Sequence, residues 1–174
     1  AELLRWTAGD IHPPGYYLLV GGWANAWGWA HQPPSALTDW LWRFPSVLAG
    51  TLAVAVTYRL GADLLGRRVG LAGALLLAAS PVAVQYSQEA RMHELFLLGA
   101  VLSAWTLTRA LARPARRRWW LAYALTTALN LYTVYLAFVV LAVQVAWVAI
   151  GYQRSAVCRQ SSAISHLLTA VLLA

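Results

Sequence analysis

The sequence predicts an all-α fold, a polytopic transmembrane helix bundle preceded by interfacial helices, and three observations carry that expectation. Of its 174 residues, 60% are hydrophobic and 11% charged, with a mean hydropathy of +0.57; soluble domains carry about 25% charged residues. The apolar residues gather into runs close to the roughly 20 residues that cross a hydrocarbon core of about 30 Å. The charge is segregated: all 13 basic residues are arginine, the net charge is +7, and most arginines sit between apolar runs. That segregation fits the loops of a membrane protein, whereas a basic face for nucleic acid would spread cations along one surface. Nucleic acid is therefore not an expected partner. The lone Cys158 excludes an internal disulfide.

Residues 1–44 form the first region. The run PPGYYLLVGGWANAWGWA, residues 13–30, is marginally long for a span and holds four glycines, an asparagine and three tryptophans. It reads as a helix lying in the membrane interface. SALTDWLWRF, residues 35–44, reads as a second interfacial segment. Residues 45–152 predict about five transmembrane helices, at 45–65, 69–85, 92–112, 119–133 and 136–152. The last two come from one run of 34 residues, which would be about 51 Å long as a single helix. A hairpin turning at YTVY, residues 132–135, resolves that excess. Residues 153–174 read as a cytoplasmic linker and the start of a further span, and the chain as an excerpt of a longer one.

Alternating spans put Arg67, Arg68, Arg109, Arg113, Arg116, Arg117, Arg118, Arg154 and Arg159 on one side. By the positive-inside rule that side is cytoplasmic. The stretch QYSQEARMHELF, residues 85–96, then faces the periplasm or exterior of an inner or plasma membrane.

That stretch is the first candidate site. A simple turn needs only glycine, asparagine or serine, yet here Glu89 and Arg91 lie two residues apart, beside His93 and Glu94. Ser87 and Gln88 sit where an N-cap would, and Glu94 then lies inside the helix that follows, where a charge costs several kcal/mol unless it faces a cavity or a partner. Exposed helix N–H groups beside an arginine make an anion site; the plain alternative is a set of side chains snorkelling into water. The second candidate is GDIHPPGYY, residues 9–17. Asp10 and His12 approach on a chain stiffened by Pro13 and Pro14 and could do acid–base work; equally, Asp10 could cap a helix and His12 lie on the surface. Arg59 and Asp63 are spaced as a structural ion pair one helical turn apart. No zinc, P-loop or dinucleotide motif occurs.

These segments resemble a known family. DIHPPGYYLL is similar to a D-x-H-P-P-L-Y-Y-L-L segment, WRFPSVLAG to R-L-P-S-A-L, LLGRR to L-F-G-R-R, and SPVAVQYSQEARMHEL to S-P-x-x-x-x-Y-S-Q-E-A-R-M-Y. All belong to polytopic GT-C glycosyltransferases, the group around protein O-mannosyltransferases and lipid A aminoarabinose transferases, and the match runs over residues 2–144. The resemblance implies transfer of a sugar from a polyprenyl-phosphate lipid to an acceptor on the outer face, with inversion. It makes the segments before Pro45 part of the first outer loop. It gives His12 and Arg91 to the donor phosphate, with Glu89 orienting Arg91, His93 and Glu94 nearby, and Asp10 as an orienting group or base. The family's Asp-Glu base pair is expected upstream of this chain. Gly15 stands where leucine is usual, His93 where tyrosine is usual, and Val134 where histidine is frequent. A divalent metal is left open, with no ligand set and no other cofactor. Membrane lipids and further membrane subunits are the other expected partners. The rival function is a truncated, non-catalytic relative serving as a structural subunit; a transporter would need midplane polar groups, and few occur.

Overall fold

The computed structural model describes residues 14–29, 33 and 35–151. Those residues form seven helices: α1 (Gly15–Ala26), α2 (Ala36–Leu65), α3 (Arg67–Ala78), α4 (Pro81–Ser87), α5 (His93–Ala112), α6 (Arg117–Thr133) and α7 (Ala137–Gly151). They fall into two compact units divided after Phe138. Within the first, α2 packs against α1, α3, α4 and α5, and α6 against α5 and α1.

By length and composition, α2 and α5 can each cross a membrane, and α3 with α4 makes a third crossing if that bent pair is one span. In the second unit, α7 is apolar but shorter. The all-α expectation therefore holds, and the helices' surfaces have the membrane pattern. Leu65, Leu76 and Leu121 are among many large apolar side chains that face outward, while Ala49, Ala53, Ala74 and Ala110 fill the interior. Lipid is as apolar as leucine, so helices associate through close packing of small residues and interhelical hydrogen bonds. Gly61 and Gly70 show the first of these. A Cβ on Gly61 would lie 2.7 Å from the Gly70 Cα, so the α2 and α3 backbones touch. Gly66, at φ +96°, makes the reversal between them.

Three elements differ from the sequence expectation. First, α2 runs unbroken from Ala36 through Pro45, so residues 35–44 are not a separate interfacial segment. Ser35 and Thr38 close a capping box (Ser35 Oγ accepts from Thr38 N at 3.2 Å, and Ser35 N donates to Thr38 Oγ1 at 2.7 Å). Pro45 removes one donor, leaving the carbonyl of Leu41 without its N–H four residues on. Trp23 Nε1 of α1 donates to that carbonyl at 3.2 Å, and the Trp23 ring stacks on Phe44 at 5.6 Å. A tertiary donor thus repairs the proline gap.

Second, the run at 69–85 is bent by 60° between α3 and α4. Pro81 cannot continue α3, and Ser80 before it adopts an extended conformation and caps α4. Third, Asp63 pairs with Arg109 of α5 instead of Arg59. Two bonds of 2.7 and 2.9 Å hold the guanidinium, and Trp105 Nε1 donates to the same carboxylate at 2.8 Å. Arg109 also lies 5.6 Å from the Trp105 ring centroid and 5.7 Å from that of Trp119, joining α2, α5 and α6 at the arginine-rich end.

Two outcomes follow for unfolding measured in detergent. Trp23→Phe should cost about 1–3 kcal/mol by orphaning the Leu41 carbonyl, and markedly less in a Pro45→Ala background that restores the helical donor. Gly61→Ala should cost about 1–3 kcal/mol by forcing α2 from α3.

Candidate functional site

The candidate site lies at the end of the bundle opposite the Asp63–Arg109 cluster. There α4 ends at Ser87, a short turn follows, and α5 begins at His93. Ser87 therefore does not cap α5, as the sequence led us to expect; its hydroxyl donates to Val84 O at 2.7 Å within α4. Glu94 sits in the first turn of α5, where a carboxylate complements the helix dipole.

The turn is anchored through its backbone. Ser46 follows Pro45 on α2, is 2% exposed, and its Oγ donates to the Arg91 carbonyl at 3.3 Å. The Tyr16 hydroxyl of α1 lies 3.4 Å from the same Oγ. Ser46 has one proton and gives it to Arg91, so Tyr16 is the donor in that second contact. Burial pushes the Tyr16 phenol above its ordinary value, which keeps the hydroxyl protonated. Both bonds are long for hydroxyls and weak singly, but together they tie α1, α2 and the turn.

With its backbone fixed, Arg91 turns its side chain outward. It is 67% exposed, against 34% for Glu89, and Arg91 Nε stands 3.5 Å from Glu89 Oε2. That separation makes an ion pair but not a good hydrogen bond, consistent with Glu89 Oε2 being buried without a hydrogen-bond partner. At this exposure the pair is worth about 1 kcal/mol or less. Its consequence is orientation: a planar guanidinium beside a carboxylate with most of its N–H groups toward solvent, suited to gripping phosphate or another oxyanion.

The other predicted residues part from this pair. His93 packs its ring on Tyr86 at 4.5 Å, between α4 and α5. Glu94 turns into the bundle and is 1% exposed. Gly50 of α2 makes room for it, since a Cβ there would lie 2.9 Å from Glu94 Oε2. Asp10 and His12 lie outside the described residues. Gly15, where the resemblance expects leucine, has α6 against it; a Cβ would lie 2.5 Å from the Tyr132 carbonyl oxygen. The sequence reading missed Tyr16, Ser46 and Gly50 as parts of this end. The serine after Pro45 was their one visible signal, because a hydroxyl beside a helix-interior proline is placed where backbone bonding is already interrupted. Among the described residues no group of three or more His, Cys, Asp or Glu could hold a metal ion.

Comparison with known proteins now bears on this geometry. Neither the curated proteins nor the solved structures gave a match. The family model described as dolichyl-phosphate-mannose-protein mannosyltransferase matches residues 35–174. That range holds Ser46, Glu89, Arg91 and Glu94 and begins after the Asp10–His12 segment. The apolar helices and the matched family make this an integral membrane protein of glycosyltransferase type, and the chain belongs to the dolichyl-phosphate-mannose-protein mannosyltransferase family.

Proposed function

We propose that this protein transfers a sugar from a polyprenyl-phosphate donor to an acceptor hydroxyl at the outer face of its membrane. The observation that carries the reading is the outward guanidinium of Arg91, oriented by Glu89 and fixed through its backbone by Ser46. It lies within the matched range, on the turn where the bundle meets its surroundings.

In this reading the helices make five crossings, with the arginine-rich end cytoplasmic. The donor's phosphate lies against Arg91. A base deprotonates the acceptor hydroxyl, whose oxygen attacks the anomeric carbon as the bond from that carbon to the phosphate oxygen breaks. The leaving lipid phosphate gains negative charge, and a guanidinium already aimed at it stabilises the transition state without reorganising. His12 is the second phosphate contact and Asp10 its orienting group or a base. His12 stands two positions before Pro14, a reach of at most about 7 Å, and α1 begins directly after Pro14.

Arg91→Ala should lower transfer from a polyprenyl-phosphate sugar by about 10²–10³-fold in a vesicle assay. Unfolding should barely change, because Ser46 holds the backbone and not the side chain at position 91. Unchanged turnover would remove Arg91 from the donor site and favour a non-catalytic structural subunit. Ser46→Ala loses both the tie to the Arg91 carbonyl and the Tyr16 contact but leaves the guanidinium in place; it should lower turnover in the same assay only about two- to tenfold, the equivalent of about 0.5–1.5 kcal/mol.

A further inference from the structure

Glu94 is not explained by a phosphate site. Its carboxyl group is nearly fully buried, and Oε2 has no hydrogen-bond partner within the protein. A desolvated carboxyl oxygen without a partner is among the costlier things a fold can hold, and Gly50 is shaped to admit it. Isolated packing accounts poorly for that combination, since a leucine would fill the same volume without the cost.

The surroundings give a reason. Beside Glu94 lies a cleft of about 300 Å³, walled by α2, the α3–α4 bend and the start of α5. Val47, Val54, Leu77 and Leu97 make most of its lining apolar; Thr51, Ser87 and Glu94 are its polar side chains. Gly50 and Ser87 line the cleft too, and a Cβ on Gly50 would meet Oε2 at 2.9 Å and the Ser87 Cβ at 3.3 Å, so this oxygen lies at the same wall. The two hydroxyl protons are already committed: Thr51 donates to Val47 O at 2.9 Å and Ser87 to Val84 O at 2.7 Å. Helical N–H groups beyond the first turns are likewise taken by their own ladders. The side chains of the cleft therefore present acceptors and no unused donor.

We propose that this cleft is a binding site for an amphiphile whose headgroup donates hydrogen bonds through hydroxyl or ammonium groups, with Glu94 as the accepting residue. An apolar wall receives the chain, and an unpartnered carboxyl oxygen receives the donor. A bare phosphate is the wrong complement, because an ionised carboxyl repels it and both hydroxyl protons of the lining are already committed. The site is separate from Arg91, which faces outward, and it stands whether or not Arg91 holds a lipid phosphate. Two sources carry this chemistry: a membrane aminophospholipid, and the sugar of a lipid-linked glycosyl donor.

Carbodiimide labelling distinguishes them without an activity assay. Dicyclohexylcarbodiimide dissolves in membranes and adds a carboxyl group across its N=C=N unit. The carboxyl oxygen bonds to the central carbon and the proton goes to nitrogen; acyl migration then leaves a stable N-acylurea. The protein is labelled in vesicles of phosphatidylcholine, whose headgroup has no N–H, and the site is mapped by peptide mass spectrometry. Glu94 should be labelled there, and Glu94→Gln should lose that label. Adding phosphatidylethanolamine or dolichyl-phosphate-mannose, at roughly ten times its dissociation constant, should slow labelling about tenfold. Protection by phosphatidylethanolamine identifies a bulk lipid. Protection by dolichyl-phosphate-mannose but not by dolichyl phosphate identifies the sugar. Equal protection by dolichyl phosphate would overturn the donor requirement, and equal labelling in every vesicle, or none at Glu94 in phosphatidylcholine, would overturn the site itself. Because the decisive comparison uses the wild-type chain, it does not depend on any variant folding.

Discussion

Pro45 takes one backbone donor from the middle of a 30-residue helix, and the Arg91 end is organised around how that gap is filled. The freed Leu41 carbonyl draws the Trp23 indole of α1, and the Trp23 ring then stacks on Phe44. One residue past the proline, Ser46 reaches the Arg91 carbonyl while Tyr16 reaches Ser46. One missing N–H therefore fixes α1 onto α2, and α1 and α2 together fix the turn that carries Glu89 and Arg91. In lipid an unsatisfied carbonyl costs several kcal/mol, so that gap demands a partner more strongly than it would in water.

The opposite end uses charge for the same purpose. Asp63 accepts from both Arg109 and Trp105, and Arg109 lies against two indole rings, which clamps α2, α5 and α6 where the arginine-rich loops begin. Between the ends there is little apolar driving force, because the leucines face outward. Backbone contact at Gly61–Gly70 and hydroxyl contacts such as Thr106–Thr126, 3.3 Å apart between α5 and α6, hold the middle.

Arg91 and Glu94 are close along the chain but face opposite environments. Three residues apart, they diverge because Arg91 lies in the turn, where a long side chain reaches solvent, and Glu94 lies in the first turn of α5 on the face toward α2. The first presents donors outward and the second an acceptor inward. Under the proposed function both would be used, since a lipid-linked sugar carries an anionic link, a polyhydroxylated head and an apolar chain.

Amino-acid types alone determined that this chain is helical, membrane-embedded and polar at two ends, because hydropathy and charge segregation report the solvent each residue must face. They also marked Glu89, Arg91 and Glu94 as misplaced for a plain turn, since charges in apolar context are costly wherever the chain folds. Local patterning did not reveal that α2 continues through Pro45, because its tolerance depends on Trp23 from another helix. It paired Asp63 with Arg59 one turn away, whereas the fold offered Arg109 with two bonds and an indole. It expected one transmembrane helix at 69–85, and Pro81 breaks it into two helices bent by 60°. It grouped Glu94 with Arg91 by proximity along the chain, and only the packing of α5 on Gly50 turned the carboxyl group inward. In each case the deciding partner lies on a different helix, or the deciding quantity is a direction in space, and neither is written in the spacing of residues along one segment.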